Sequence, residues 1–124
     1  MPARVLDVGQ CDPDHAAISR LLKSHFGAEI VRACGLADTL DALRSEPFAL
    51  VLVNRKLDAD YSDGLEIIKA IKADPLVAAV PVMLVSNYAE AHQEAVAAGA
   101  LTGFGKAELA RPETEEKLRA VLAK

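Results

Sequence analysis

What the chain lacks narrows it first. No apolar run approaches the ~18 residues needed to cross a bilayer, and the opening MPARVLDVG carries no charged-then-apolar signal pattern. Only two cysteines occur, Cys11 and Cys34, with no metal-type spacing between them. The expectation is a reduced, cytoplasmic compartment in which both thiols pack as small hydrophobes. Positive charge is not in excess either. A net charge of −4 argues against a nucleic-acid surface, which needs clustered Lys and Arg. Repeats, low-complexity stretches and linkers are also missing. A length of 124 residues fits one compact domain, taken as 1–124, and leaves no room for two.

What is there is alternation. Phe48 to Val53, ending at Asn54, is apolar throughout, as expected of a strand covered on both faces of a parallel sheet. Val80 to Val85, ending at Ser86, is a second such run, with Pro81 near its start, where a missing N–H is tolerated. Weaker strands are expected at Arg4–Val8, Glu29–Ala33 and Leu101–Phe104. Between them lie stripes of helical period: Ala17, Ile18, Leu21 and Leu22; Leu36, Leu40 and Leu43; Leu65, Ile67, Ile68 and Ile71; the Ala-rich segment from Ala89 to Ala98; and Leu118, Val121 and Leu122. Asp12–Pro13–Asp14 reads as a helix start, with Asp12 as N-cap and Pro13 at the first position. Gly99 reads as a helix-ending glycine. Five β-α units predict an α/β fold: a five-stranded parallel sheet, doubly wound and flavodoxin-like, with its functional crevice at the carboxyl ends of the strands.

The residues just past those ends are therefore the candidates. They are Gly9, Gln10, Cys11, Asp12 and Asp14 after the first strand, Asn54, Arg55 and Lys56 after the third, Ser86 and Asn87 after the fourth, and Gly105 and Lys106 after the fifth. With these go Ser62–Asp63–Gly64–Leu65–Glu66, Ala98–Gly99–Ala100, Gly103–Phe104 and Glu115–Glu116–Lys117–Leu118. In order and spacing, from about Arg4 to Leu122, the chain resembles a bacterial response-regulator receiver domain of the CheY-like family.

That resemblance implies a Mg²⁺-dependent phospho-accepting site: two acidic residues after the first strand, an aspartate ending the third, a Ser or Thr ending the fourth, and a Lys after the fifth. A hard cation wants several carboxylate oxygens, and a transferring phosphoryl group needs its charge neutralised. Here Ser86 and Lys106 match, and Phe104 takes the position of an aromatic that reorients on activation. Asn54 falls on the acceptor position, and a neutral carboxamide forms no acyl phosphate. The acidic pair falls on Gly9 and Gln10 or on Gln10 and Cys11, neither of which supplies a carboxylate. Ala107 stands where the family has a proline, the loop before Lys106 is a residue short, and the loop from Leu57 to Ser62 is about two residues long.

The expected function is thus a receiver-like signalling module of a two-component or phosphorelay system. It is not an enzyme, is not phosphorylated, has no cofactor and binds Mg²⁺ weakly or not at all. The implied partners are a protein, possible kinases or output domains among them, or a second copy, through Tyr88–Ala98, Leu101–Phe104 and Pro112–Leu122. Neither nucleic acid nor membrane is expected. The alternative is a phospho-accepting regulator that uses Asp58 or Asp12. Lys106 either holds an anion or pairs with Asp12. Asp7, a carboxylate inside the first strand, calls for a place near the strand end or a pairing with Lys106 or Arg4. Cys11 is either a redox sensor or buried filler, the second being favoured. His15, His25 and His92 read as structural.

Overall fold

The computed structural model describes residues 3 to 122. Its elements run β1 (Arg4–Val8), α1 (Asp12–Phe26), β2 (Glu29–Ala33), α2 (Leu36–Ser45), β3 (Leu50–Asn54), α3 (Gly64–Ala73), β4 (Val82–Val85), α4 (Ala89–Ala97), β5 (Leu101–Phe104), a 3-10 turn (Lys106–Glu108) and α5 (Pro112–Leu122). All strands pair in parallel in the order β2-β1-β3-β4-β5, so β2 and β5 are the edges. This is the doubly wound α/β arrangement expected of alternating units.

The apolar strands are explained by cover on both faces. Leu6, Val8, Val51, Val53 and Leu84 pack against Leu43 of α2, Ile67, Ile68 and Ile71 of α3 and Ala95 of α4. On the other face, Val5, Leu50, Leu52, Met83, Val85 and Phe104 meet Ile18 and Leu22 of α1 and Leu118 and Leu122 of α5. Every residue of β3 and β4 is buried. Each such large apolar side chain contributes about 1.5–3 kcal/mol of transfer free energy.

Several expectations shift at the element boundaries. Phe48 and Ala49 precede β3, and Val80 and Pro81 precede β4, although the Pro81 carbonyl still accepts from Val51 N–H at 2.9 Å. Leu36 is 44% exposed, and Thr39 takes its place on the buried side of α2. Asp12 is not the N-cap of α1. Cys11 holds that place in extended geometry without a side-chain bond, and Asp12 is the first helical residue. The cysteines are not buried filler: Cys34 is exposed and Cys11 half-buried. Gly99 does follow α4 with φ +110.

Two close approaches set the geometry around the strand ends. Gly64, the first residue of α3, lies against the Asn54 carbonyl and Val53, leaving no space for a β-carbon. In β5 a bulge opposite Met83–Val85 presses Gly103 onto the Leu84 backbone. We expect Gly64→Ala to cost about 1–3 kcal/mol in urea denaturation, because backbone must move to admit the methyl group. A variant as stable as the parent would show that α3 can retreat freely from β3.

Candidate functional site

The site is built around one backbone oxygen. β1 ends at Val8, and Gly9 then turns with φ +75, its N–H donating to Ala33 O at 2.9 Å. The Gly9 carbonyl accepts from the Asn54 side-chain Nδ2 at 3.0 Å and from the Asp58 backbone N–H at 2.9 Å. Asn54, at the end of β3, is 7% exposed. A carboxamide can make this bond, whereas an ionised carboxylate would set oxygen against oxygen in a buried place.

Gln10, on the expected acidic pair, is 2% exposed, and neither of its amide atoms has a hydrogen-bond partner within the described residues. Its backbone carbonyl accepts from Arg32 Nη2 at 2.9 Å. Asp12 does not join the crevice. Its side chain is 89% exposed and pairs with Arg32 at 2.7 Å. Lys106 pairs with Asp14, not with Asp12, at 2.7 Å, each side chain about one-third exposed. The Lys106 hydrogen bond holds the Asp14 carboxyl below its usual range. The pocket lysine is therefore already matched by a carboxylate from the first turn of α1.

Ser86 is buried beyond β4. Its hydroxyl accepts from Tyr88 N–H at 3.1 Å, its N–H donates to Phe104 O at 3.0 Å, and its carbonyl accepts from His92 Nε2 at 2.7 Å. Phe104 is 1% exposed and belongs to the core shared with α1 and α5. A crevice of about 310 Å³ brings together Cys11, Asn54, Asp58, Ser86 and Lys106, with Tyr61 and Tyr88 also lining it. Asp12 and Gln10 are not among its lining residues.

The long loop after β3 is closed on itself. Gly64 N–H donates to Arg55 O, Leu57 N–H to Ser62 O and Tyr61 N–H to Leu57 O, while Lys56 pairs with Asp63. Asp60 accepts from both the N–H and the hydroxyl of Ser62. Tyr61 at the tip has φ +58 and is 79% exposed.

Asp7 is the least expected member. It lies inside β1 with no exposure, and its partner is neither Lys106 nor Arg4 but His15 of α1, whose Nδ1–H donates to Oδ2 at 2.6 Å. Ser19 Oγ stands 3.5 Å from the other ring nitrogen. Among the described residues Oδ1 has no hydrogen-bond partner, and Gln10, near enough to favour the carboxylate, forms no well-shaped hydrogen bond with it. Burial pushes the Asp7 pKa up, opposed in part by His15, Gln10 and Arg32. The sequence reading missed His15 as this partner; the signal that could have found it is that a buried strand carboxylate needs a donor, and the covering helix carries one near its start. His25 pairs with Glu115 on the surface.

These residues do not fit a Mg²⁺ ion. Gln10, Gly9 and Asn54 supply no carboxylate, and Asp14 is held by Lys106. Among the described residues, no group of three or more His, Cys, Asp or Glu could hold a metal ion.

No family model matches the sequence, and no curated protein matches it as a relative. Solved structures do. The signal receiver domain of a DNA-binding response regulator from Colwellia psychrerythraea superposes with a TM-score of 0.82 at 22% identity, covering 98% of this chain and 99% of that one. The chain has the receiver fold. The chemotaxis protein CheY4 of Vibrio cholerae gives a TM-score of 0.76 at 23% identity, over 98% of this chain and all of that one. The receiver domain of a Pseudomonas aeruginosa sensor histidine kinase, described with a magnesium ion coordinated in its active-site cleft, gives 0.76 at 18% over the full length of both.

Two outcomes follow from this geometry. Asn54→Asp is expected to destabilise the fold by about 1–3 kcal/mol at neutral pH, since it removes the bond to Gly9 and buries a charge. The loss should shrink as pH falls and the carboxyl protonates; chemical denaturation at two pH values checks it, and an equal or more stable variant would refute it. For Asp7, both folded and unfolded chains hold the proton below the ordinary value of 3.8. Above it the unfolded chain ionises first, so rising pH removes stability until folded Asp7 ionises as well. Relative to the parent, Asp7→Asn should therefore gain stability as pH rises from about that ordinary carboxylate value. A parent–variant difference flat with pH would contradict this account.

Proposed function

We propose that this chain is a receiver-like signalling module of the two-component type that works through protein contacts, without phosphorylation at Asn54, without a resident Mg²⁺ and without enzymatic turnover. The observation that carries the reading is the Asn54 amide bonded to the Gly9 carbonyl in a buried position. An acceptor aspartate would be repelled by that carbonyl. The lysine that would neutralise a phosphoryl group is already paired with Asp14. Retention of Ser86 and Lys106 then has a structural reason: one ties the entry of α4 to β5, and the other ties the β5 loop to α1.

The surface proposed for contact is α4, β5 and α5. β5 is an edge strand, and Leu101 and Val96 expose 46% and 45% of their surface beside it. A protein partner, such as a histidine kinase or an output domain, or a second copy would cover them. The negative net charge supports a protein rather than a nucleic acid in that role. No helix among the described residues is long and apolar enough to cross a membrane. A cytoplasmic location is part of the proposal.

One observation favours a second reading: the exposed Asp58 lines the same crevice as Lys106 and Ser86, so it is the carboxylate placed to accept a phosphoryl group if any does. A single experiment separates the two. Beryllofluoride with Mg²⁺, followed by backbone NMR, should leave shifts unchanged under the first reading. Saturable shifts centred on Asn54, Ser86 and Lys106 would sink it, and their loss in Asp58→Asn would establish the second.

A further inference from the structure

A groove of about 460 Å³ runs between the starts of α3 and α4. Leu65 and Ala91 give it apolar surface. Glu90 and Glu94 line it one turn apart on α4, and neither takes part in an ion pair among the described residues, where the other lining carboxylate, Asp63, is held by Lys56. Like charges at this spacing repel each other. Glu90 is offset by the first-turn dipole of α4; Glu94 lies beyond that turn. The groove ends at Tyr88, 62% exposed, and the chain itself shows what that ring accepts: the Arg55 guanidinium lies 4.7 Å from its centroid.

We propose that this groove docks an arginine-bearing segment of a partner protein, its guanidinium held by Glu90 and Glu94 and its methylenes laid on Leu65 and Ala91. Two observations of different kinds support it: a carboxylate pair that forms no ion pair among the described residues, beside apolar surface, and an internal guanidinium already stacked at the groove's aromatic end. Arginine is favoured over lysine because its planar fork engages carboxylates bidentately and stacks on rings. Arg55 and Tyr88 also line the strand-end crevice, so an incoming guanidinium competing for Tyr88 would alter the wall between the two sites. The groove shares α4 with the contact surface named above but takes no residue from β5 or α5.

The test is an NMR titration of the labelled full chain with a capped Arg-Leu-Arg peptide, with a Glu-Leu-Glu peptide as control. Saturable shifts are expected at Leu65 and from Tyr88 to Glu94. The Glu90→Gln/Glu94→Gln double variant, unchanged in its circular dichroism, should bind about tenfold more weakly. Any of four results would overturn the proposal: no saturation at millimolar peptide, equal binding of the acidic peptide, undiminished binding by the double variant, or shifts centred on Val96 and Leu101. Self-association of the chain through the same residues without peptide would also overturn it, by naming a second copy as the occupant.

Discussion

The carbonyl oxygen of Gly9 joins the end of β1 to a stretch of chain some 45 residues away, at two points. It terminates β1, takes the Asn54 amide at the end of β3, and takes the Asp58 N–H where the following loop begins. Both lone pairs of that oxygen are used. Because the two acceptances come from one atom, the end of β3 and the base of its loop cannot shift independently. The glycine has its own reason, since a β-carbon there would run into Leu57, which is itself buried under the loop. The polar groups at this junction are thus given over to holding backbone, with the Asn54 amide and the Asp58 N–H both turned onto the Gly9 carbonyl.

Charge follows the same pattern. Four polar side chains at or near the strand ends are bound within the protein: Lys106 to Asp14, Ser86 to Tyr88, Asp12 to Arg32, Asp7 to His15. Such pairs stiffen the junctions between strands and helices more than they stabilise the fold, because exposed ion pairs contribute little. The buried Asp7–His15 pair is the exception in kind. It places a desolvated carboxylate inside β1, where an apolar residue of similar size would do as well for packing.

The fold was largely legible because its signals were periodic. Continuous apolar runs at Leu50–Val53 and Val82–Val85 allow only two-sided cover, and the stripes between them have helical spacing. Boundaries were less so: hydrophobicity alone extends β3 back to Phe48, whereas hydrogen bonding starts the strand at Leu50. At the site, Asn54, Ser86 and Lys106 could be placed from strand ends alone. Their partners could not, because pairing depends on side-chain direction across elements. Asp12 and Asp14 are two residues apart on a helix, so they point to different sides, and only one reaches Lys106. The same limit hid His15, which becomes the obvious partner of Asp7 only once α1 is laid over β1.

The loop between β3 and α3 carries a further consequence. Its neck is sealed by Arg55–Gly64 and Leu57–Ser62, and the tip residues from Ala59 to Tyr61 make their hydrogen bonds only within the loop. Length added or removed at the tip would therefore leave the sheet register untouched. The loop behaves as an interchangeable cassette at the mouth of the crevice, where evolution can alter what the entrance presents without refolding what lies beneath.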